Sequence, residues 1–310
     1  MSSDYPRHEL AISDETYPSS VRDLMDAPPV LYVRGNVDVL HEAGLAIVGA
    51  RLATPYGIAI AEMAARVAAE SNIVVISGGA RGCDCAAGLA ALKAGGKHIA
   101  VLGCGADVVY PRSSRRLFDQ TLEQGGAIVS LDPWGQEPRR WAFPRRNRII
   151  AALAKALLVT EAGMPSGTFT TAEAAIELER ELLAVPGSIL SKLSRGSNYL
   201  IATGATCIAD EDDLEMAISR IFEVLRFSRP TSQTTAQGTQ AIHRLMEALI
   251  ASPLHIEEVA QILSQDVQAS LLVVSELMVQ GVCERLLDGR ISLTTCALHA
   301  QGHISHNSFK

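Results

Sequence analysis

The sequence predicts a doubly wound α/β protein, an extended Rossmann-like parallel sheet followed by a small C-terminal winged-helix domain. Three observations carry this. From residue 44 short β-branched runs alternate with glycine turns and amphipathic stretches of helical length. The runs are apolar almost throughout, as strands covered on both faces are. A Pro/Ser/Thr/Gln-rich segment over 223–239 then separates this rhythm from a second apolar-periodic block.

Taken in order, residues 1–43 form a lead-in segment. The strands of the sheet are "LAIVG" (45–49), "NIVVISG" (72–78), "HIAVLG" (98–103), "GAIVS" (126–130), "ALLVTE" (156–161), "ELLAVPG" (181–187) and "ATCIA" (205–209). Helical patterns lie between them at 56–70, 85–94, 113–124, 147–153, 169–179 and 211–222. Such alternation gives right-handed crossovers and a parallel sheet over 44–222. After the linker at 223–239, three short helices are expected at 240–251, 256–263 and 267–280. The stretch "VCERLLDGRISL" follows as a hairpin turning at Asp288-Gly289, which gives the winged-helix order over 240–298. The tail, 299–310, is polar and expected to fray.

Composition narrows the function classes. At 310 residues and 48% hydrophobic content the chain can bury one large core and a smaller one. No apolar run reaches the roughly 20 residues of a membrane span, and "MSSDYPRHEL" lacks the basic-then-apolar order of a signal peptide. The reading is a cytoplasmic protein. The six cysteines include no C-x-x-C pair, so buried or incidental thiols are expected, with no metal site. The eight histidines fall in no H-E-x-x-H, and no G-x-S-x-G is present, so no catalytic residues are assigned.

The formal net charge is -7, but it is unevenly spread. Residues 1–43 hold three basic and eight acidic side chains, whereas 44–222 hold eighteen of each. A polyanion surface therefore belongs in the middle of the chain. The stretch 139–148, "RRWAFPRRNR", has five arginines and no carboxylate. With a helix starting at Asn147, Arg145 and Arg146 would sit at its N-terminal approach, and Phe143, before a proline, would be placed to stack. Arginine for phosphate and an aromatic ring for a base is the pairing that holds single-stranded nucleic acid with little sequence readout.

Four glycine turns sit where that surface should be. "VGARLATPYG", "SGGARGCD", "GCGADVVYP" and "GMPSGTFTTAE" follow strands, at the end where a parallel sheet collects ligands. None is G-x-G-x-x-G or G-x-x-x-x-G-K-[ST], so no dinucleotide cofactor or nucleotide P-loop is indicated and no cofactor is expected. Two of the turns carry an arginine, Arg51 and Arg81, which favours an anion site.

The run "VGAR", "SGGARGCD", "GCGADVVYP", "FPRRNRIIAALA", "EAGMPSGTFTTA", "AVPGS" and "SRGSNYLIATGA", in this order over roughly residues 17–215, resembles the DNA-processing protein A family, DprA or Smf. The resemblance implies a Rossmann-like core that binds single-stranded DNA, forms a homodimer and loads the RecA recombinase during natural transformation. Carried over by motif, the implied DNA-binding residues begin with Arg51, Ser77, Gly78, Arg81 and Gly82. Phe143, Arg145, Asn147 and Arg148 follow, then Ser166 and Gly167, then Arg195 and Asn198, while Arg140 and Arg146 join the expected DNA-binding set from the arginine stretch itself. Departures are Ala50 for the usual Ser, Cys83 for the usual Ile, and Glu179 where a Gly is common. The helical front domain of many members is absent or vestigial in the 43 residues before the first strand.

Two further expectations concern chemistry and the C-terminal module. "MPSGTFTTAE" is also similar to the loop of Rossmann-like nucleoside-monophosphate phosphoribohydrolases, with Arg148 and Glu161 available to a nucleotide pocket. Thr171 stands where that pattern has its acidic residue, so N-glycosidic cleavage lacks its acid/base partner. The third C-terminal helix, "DVQASLLVVSELMVQG", has Asp266 and Glu276 but no Lys or Arg, which makes it a poor reader of DNA. A protein-contact or dimer-covering role is expected for that module instead.

Overall fold

The computed structural model describes residues 5–226 and 240–302. Its centre is a nine-stranded sheet in the order β1-β2-β6-β5-β4-β3-β7-β8-β9. The first strand, β1 (Arg7–Ala11), leads through the short helix α1 (Ser19–Arg22) to β2 (Val30–Gly35). β2 runs antiparallel to both β1 and β6, pairing Val33 with Val129. The lead-in is thus two strands of the same sheet. It shares the core through Val21, Leu31, Val33 and Val39, all buried, and Tyr17 Oη donates to Pro28 O at 2.7 Å.

The parallel part alternates as the sequence predicts. β3 (Gly44–Val48) is followed by α2 (Pro55–Glu70), β4 (Val74–Ser77) by α3 (Cys83–Lys93), and β5 (His98–Leu102) by α4 (Arg115–Glu123). Then come β6 (Ala127–Ser130), α5 (Ala142–Leu153), β7 (Ala156–Val159), α6 (Thr168–Glu177), β8 (Glu181–Ala184), α7 (Arg195–Ala202), β9 (Thr206–Cys207) and α8 (Glu211–Phe222). All four residues of β4, β6 and β7 are buried, which is why these runs need no polar alternation. Thr54 caps α2 by accepting from Gly57 N at 3.2 Å, ahead of Pro55, whose missing N–H costs nothing there. Asp210 caps α8 in the same way, accepting from Asp213 N at 2.8 Å.

Three features differ from the expectation. α7 occupies the Ser-Arg-Gly-x-Asn stretch, where the sequence pattern predicts no helix. Glu179, between α6 and β8, has φ 55°, the left-handed region that glycine adopts without a Cβ penalty. α5 begins at Ala142, five residues before the predicted start. Pro144 is tolerated because the N–H groups of a first helical turn have no intrahelical acceptor.

The C-terminal block has its own small core, in which Leu245, Leu249, Val259, Leu263 and Leu293 are buried together. It comprises α9 (Gln240–Ala251), α10 (Ile256–Leu263), α11 (Val267–Val279) and the antiparallel hairpin β10 (Cys283–Arg285) and β11 (Ile291–Leu293). Gly289 at the hairpin turn has φ 87°, the conformation its position demands. The tail was expected to fray from residue 299. Instead α12 (Thr295–Gly302) runs into it, and residues 303–310 lie outside the described residues. Most of the predicted linker, 227–239, also lies outside them. At the linker's root the Arg226 side chain is 1% exposed among Glu70, Glu211 and Glu215. Burial opposes its charge, but hydrogen bonds to Glu211 and Glu70 outweigh that and raise its pKa.

Candidate nucleic-acid interface

Strand order fixes where a ligand can sit. From β3 the chain winds one way through β4, β5 and β6, then crosses to β7 and winds the other way. The switch point therefore falls between β3 and β7, and connections leaving opposite sides of the sheet open a crevice there. A cavity of about 500 Å³ occupies this crevice, lined by Val48 to Leu52, Phe143, Arg146, Asn147 and parts of 163–171. A second cavity of about 820 Å³ lies next to it, over the ends of β4 and β5, lined by Gly78, Arg81, Leu102, Tyr110 and Arg112. Arg51 and Phe143 line both.

Phe143 is half-buried and held by its neighbours. Arg51 Cζ stands 5.2 Å from its ring centroid. A Cβ on Gly103 would come within 2.8 Å of the ring, so the glycine is what lets the phenyl lie on the β5 loop. Gly82, with φ 78°, opens α3 and packs so tightly on the backbone of Ala50 and Arg51 that any Cβ would collide. Outside the ring, Trp141 is 51% exposed, with Arg139 and Arg145 at 5.9 and 5.4 Å from its centroid.

The arginines of 139–148 divide into three kinds. Arg145 and Arg140 are exposed and, with Arg51, Arg81 and Arg195, form no ion pair among the described residues. Arg148 is engaged by carboxylates, Nη1 donating to Glu177 at 2.8 Å and Nε to Asp26 at 3.2 Å. Arg146 is buried, which corrects the expectation that its guanidinium stands at the rim. Its Nη1 donates to Gly78 O at 2.5 Å and also to Val101 O, and its Nε has no partner. Burial lowers its pKa to about 10, with Asp84 opposing the shift. Asp84, itself buried, accepts from Gly78 N at 3.0 Å, and burial raises its carboxyl pKa despite Arg146. The reason is helical phase: once α5 starts at Ala142, Arg146 falls on the face of Ile149, Ile150 and Leu153.

Other motif residues hold backbone rather than reach solvent. Ser77 is buried, its hydroxyl 3.0 Å from His98 Nε2 and donating to Asp84 O at 3.1 Å, so its expected place on the contact surface is corrected too. Gly78 lies buried against Arg146 and Asp84. Asn198 clamps Gly187, accepting from its N–H at 3.0 Å and donating to its carbonyl at 2.9 Å. Asn147 Nδ2 donates to Thr170 Oγ1 at 2.7 Å, tying α5 to the start of α6. Ser166 donates to Thr168 Oγ1 at 3.1 Å, and Gly167 beside it is exposed at the cavity wall.

The carboxylate of Glu161 accepts from Thr54 N and Oγ1, both at 2.8 Å, and burial raises its pKa. Thr171 is buried. Arg148 and Glu161 are therefore each committed to partners outside a shared nucleotide pocket. Sequence reasoning missed Tyr110 and the exposed Arg112, which line the larger cavity on the loop after β5, with the exposed Arg115 and Arg116 following at the start of α4. The run "YPRSSRR" directly after the third glycine turn signals charge there but not its place.

Fold and edge together define a class, a Rossmann-like α/β protein whose strand ends form a cationic cleft with an aromatic ridge. The chain belongs to the DNA recombination-mediator protein A family, whose model matches residues 8–219. It is 40% identical over 205 residues to the DNA processing protein DprA of Streptococcus pneumoniae, covering 66% of this chain and 72% of that one. Protein Smf of Escherichia coli is 40% identical over 210 residues, covering 67% of this chain and 56% of its own length. Among solved structures, pneumococcal DprA superposes with a TM-score of 0.63 at 39% identity, over 68% of this chain and 74% of that one. DNA processing protein A from Helicobacter pylori, described for its single-stranded DNA binding mode, superposes at 0.64 with 28% identity, over 71% of this chain and all of that one.

Proposed function

We propose that this protein is a non-catalytic single-stranded DNA-binding protein of DNA processing, which protects the strand and loads a RecA-type recombinase onto it, acting as a homodimer. One observation carries the binding reading: Arg51, Arg81, Arg140 and Arg145 have no carboxylate partner among the described residues, Arg51 and Arg81 line one cavity with Phe143, and Arg145 stands over the exposed Trp141 beside it in sequence. Unpaired guanidinium groups beside a half-exposed ring suit a flexible phosphodiester with accessible bases. Family membership and the Helicobacter relative's single-stranded DNA binding support the same reading. The recombinase and the second copy rest on the family alone. The C-terminal module, whose α11 carries no Lys or Arg, is assigned a protein-contact role.

The test is fluorescence anisotropy on the full chain with labelled oligo(dT) and a duplex of equal length, each titrated with salt. Single strands should bind more tightly. Arg51→Ala and Arg145→Ala should each flatten the log–log salt slope by about 0.7, one phosphate contact on a single strand. Equal affinity for duplex, or an unchanged slope in both variants, overturns the proposal.

A further inference from the structure

The Arg51–Phe143 pair is a partition, with a separate chamber on each side. The switch-point chamber is bounded by the loops after β3 and β7, and the larger one by the loops after β4 and β5. The larger chamber has its own aromatic wall. Tyr110 is 43% exposed although it is a large ring on a loop whose neighbours Val108 and Val109 are partly buried. Its ring centroid lies 6.0 Å from that of Phe143 with the planes at 39°. At that tilt and spacing the rings are adjacent walls rather than the two jaws of a sandwich. Leu102 adds an apolar surface, and Arg81 and Arg112 supply charge at the mouth. The carboxylate of Glu137 also lines the chamber, which disfavours a phosphate there and favours an uncharged ring. At about 820 Å³ the chamber is of the size that small organic ligands occupy.

We infer that this chamber is a second nucleobase subsite, in which Tyr110 stacks a base, so that consecutive unpaired nucleotides straddle the Arg51–Phe143 ridge with one base on each side. The inference rests on the proposed single-strand binding and adds to it a residue and a register. A duplex cannot satisfy it, because bases parted by the ridge are neither stacked on each other nor paired. The cleft thereby selects single strands through shape, while the arginines supply attraction to either form.

The experiment uses the full chain and labelled oligo(dT). Tyr110→Ala should weaken binding by about 5- to 100-fold, the loss of one stacked base, and Tyr110→Phe should bind like the unsubstituted chain. Tyr110→Trp should keep affinity and show quenching of indole emission on binding beyond that of Trp134 and Trp141 in the unsubstituted protein. Undiminished binding by Tyr110→Ala, with Phe143→Ala weakened, overturns the second subsite and leaves single-strand binding standing. If both variants bind normally, stacking at either place is refuted and the second subsite falls, while single-strand binding is decided separately by the duplex comparison and the salt slopes of the arginine variants. Weakened Tyr110→Ala without extra quenching in Tyr110→Trp assigns Tyr110 to the shape of its loop, and the subsite is overturned.

Discussion

Arg146 underlies Phe143. Its guanidinium carbon is 5.9 Å from the ring centroid, while Nη1 reaches the carbonyl oxygen of Gly78 at 2.5 Å. The most strongly cationic motif of the chain thus contributes an internal strut as well as surface charge. Through Gly78 and Val101, Arg146 ties the ends of β4 and β5 to α5, the helix that carries Phe143. Position and charge are supplied by different arginines of one short run.

That division separates two substitutions at adjacent positions. Arg146→Met should remove the donor from the buried carbonyls of Gly78 and Val101 and the positive charge that favours the ionised form of buried Asp84, and a stranded buried polar group costs roughly 1–3 kcal/mol. Adding Asp84→Asn should recover part of the loss by removing the stranded charge. Arg145→Ala should change stability by less than about 0.5 kcal/mol, as exposed positions do. Urea denaturation of the three variants checks this, and equal destabilisation by the Arg145 and Arg146 substitutions would contradict the strut.

His98 gives the sheet a dependence on acid. It is buried between Ser77 and Thr121, its Nδ1 2.8 Å from Thr121 Oγ1, and burial depresses its pKa to about 3. An unfolded histidine titrates near 6.5. Above that pH both states are neutral and the group contributes no pH dependence. As pH falls from about 6.5 towards about 3, the unfolded state takes up a proton that the folded state refuses, so stability is lost by up to about 1.4 kcal/mol per pH unit. Urea midpoints measured across this window should fall with acid in the unsubstituted chain and less steeply in His98→Gln.

Glu179 holds a left-handed backbone at φ 55°, a conformation that glycine adopts without a Cβ penalty. A side chain in that region costs about 1–2 kcal/mol, offset in part by the extra unfolded entropy of glycine. Glu179→Gly should therefore raise the thermal midpoint by a few degrees, with Glu179→Ala giving no such gain. Calorimetry on the three chains decides it.

The parallel strands were legible because burial on both faces writes itself as uninterrupted apolar runs, and the limits of α8 agree with its Asp-capped acidic start. β1 and β2 were not legible. "RHELA" is short and polar, and the partner that makes β2 a strand, β6, lies about a hundred residues later. α5 was begun too late because a proline stood in its first turn, and that error moved Arg146 from the buried face to the rim. The period of Ala142, Arg146, Ile149, Ile150 and Leu153 carried the correct answer. Tyr110 and Arg112 carry no local signal of their place, since it is the fold that brings their loop beside Phe143 and Arg81.

Sheet order also sets a schedule for biosynthesis. β3 stands at the middle of the sheet, and its outer neighbour β7 joins it by pairing Leu45 with Ala156. On a ribosome the first half of the crevice would emerge long before the strand that closes it. A nascent chain halted before β7 carries every residue that lines the larger chamber but lacks the 163–171 wall of the switch-point chamber. The two chambers are thus completed in sequence, the one over β4 and β5 first and the switch-point one after β7 has joined.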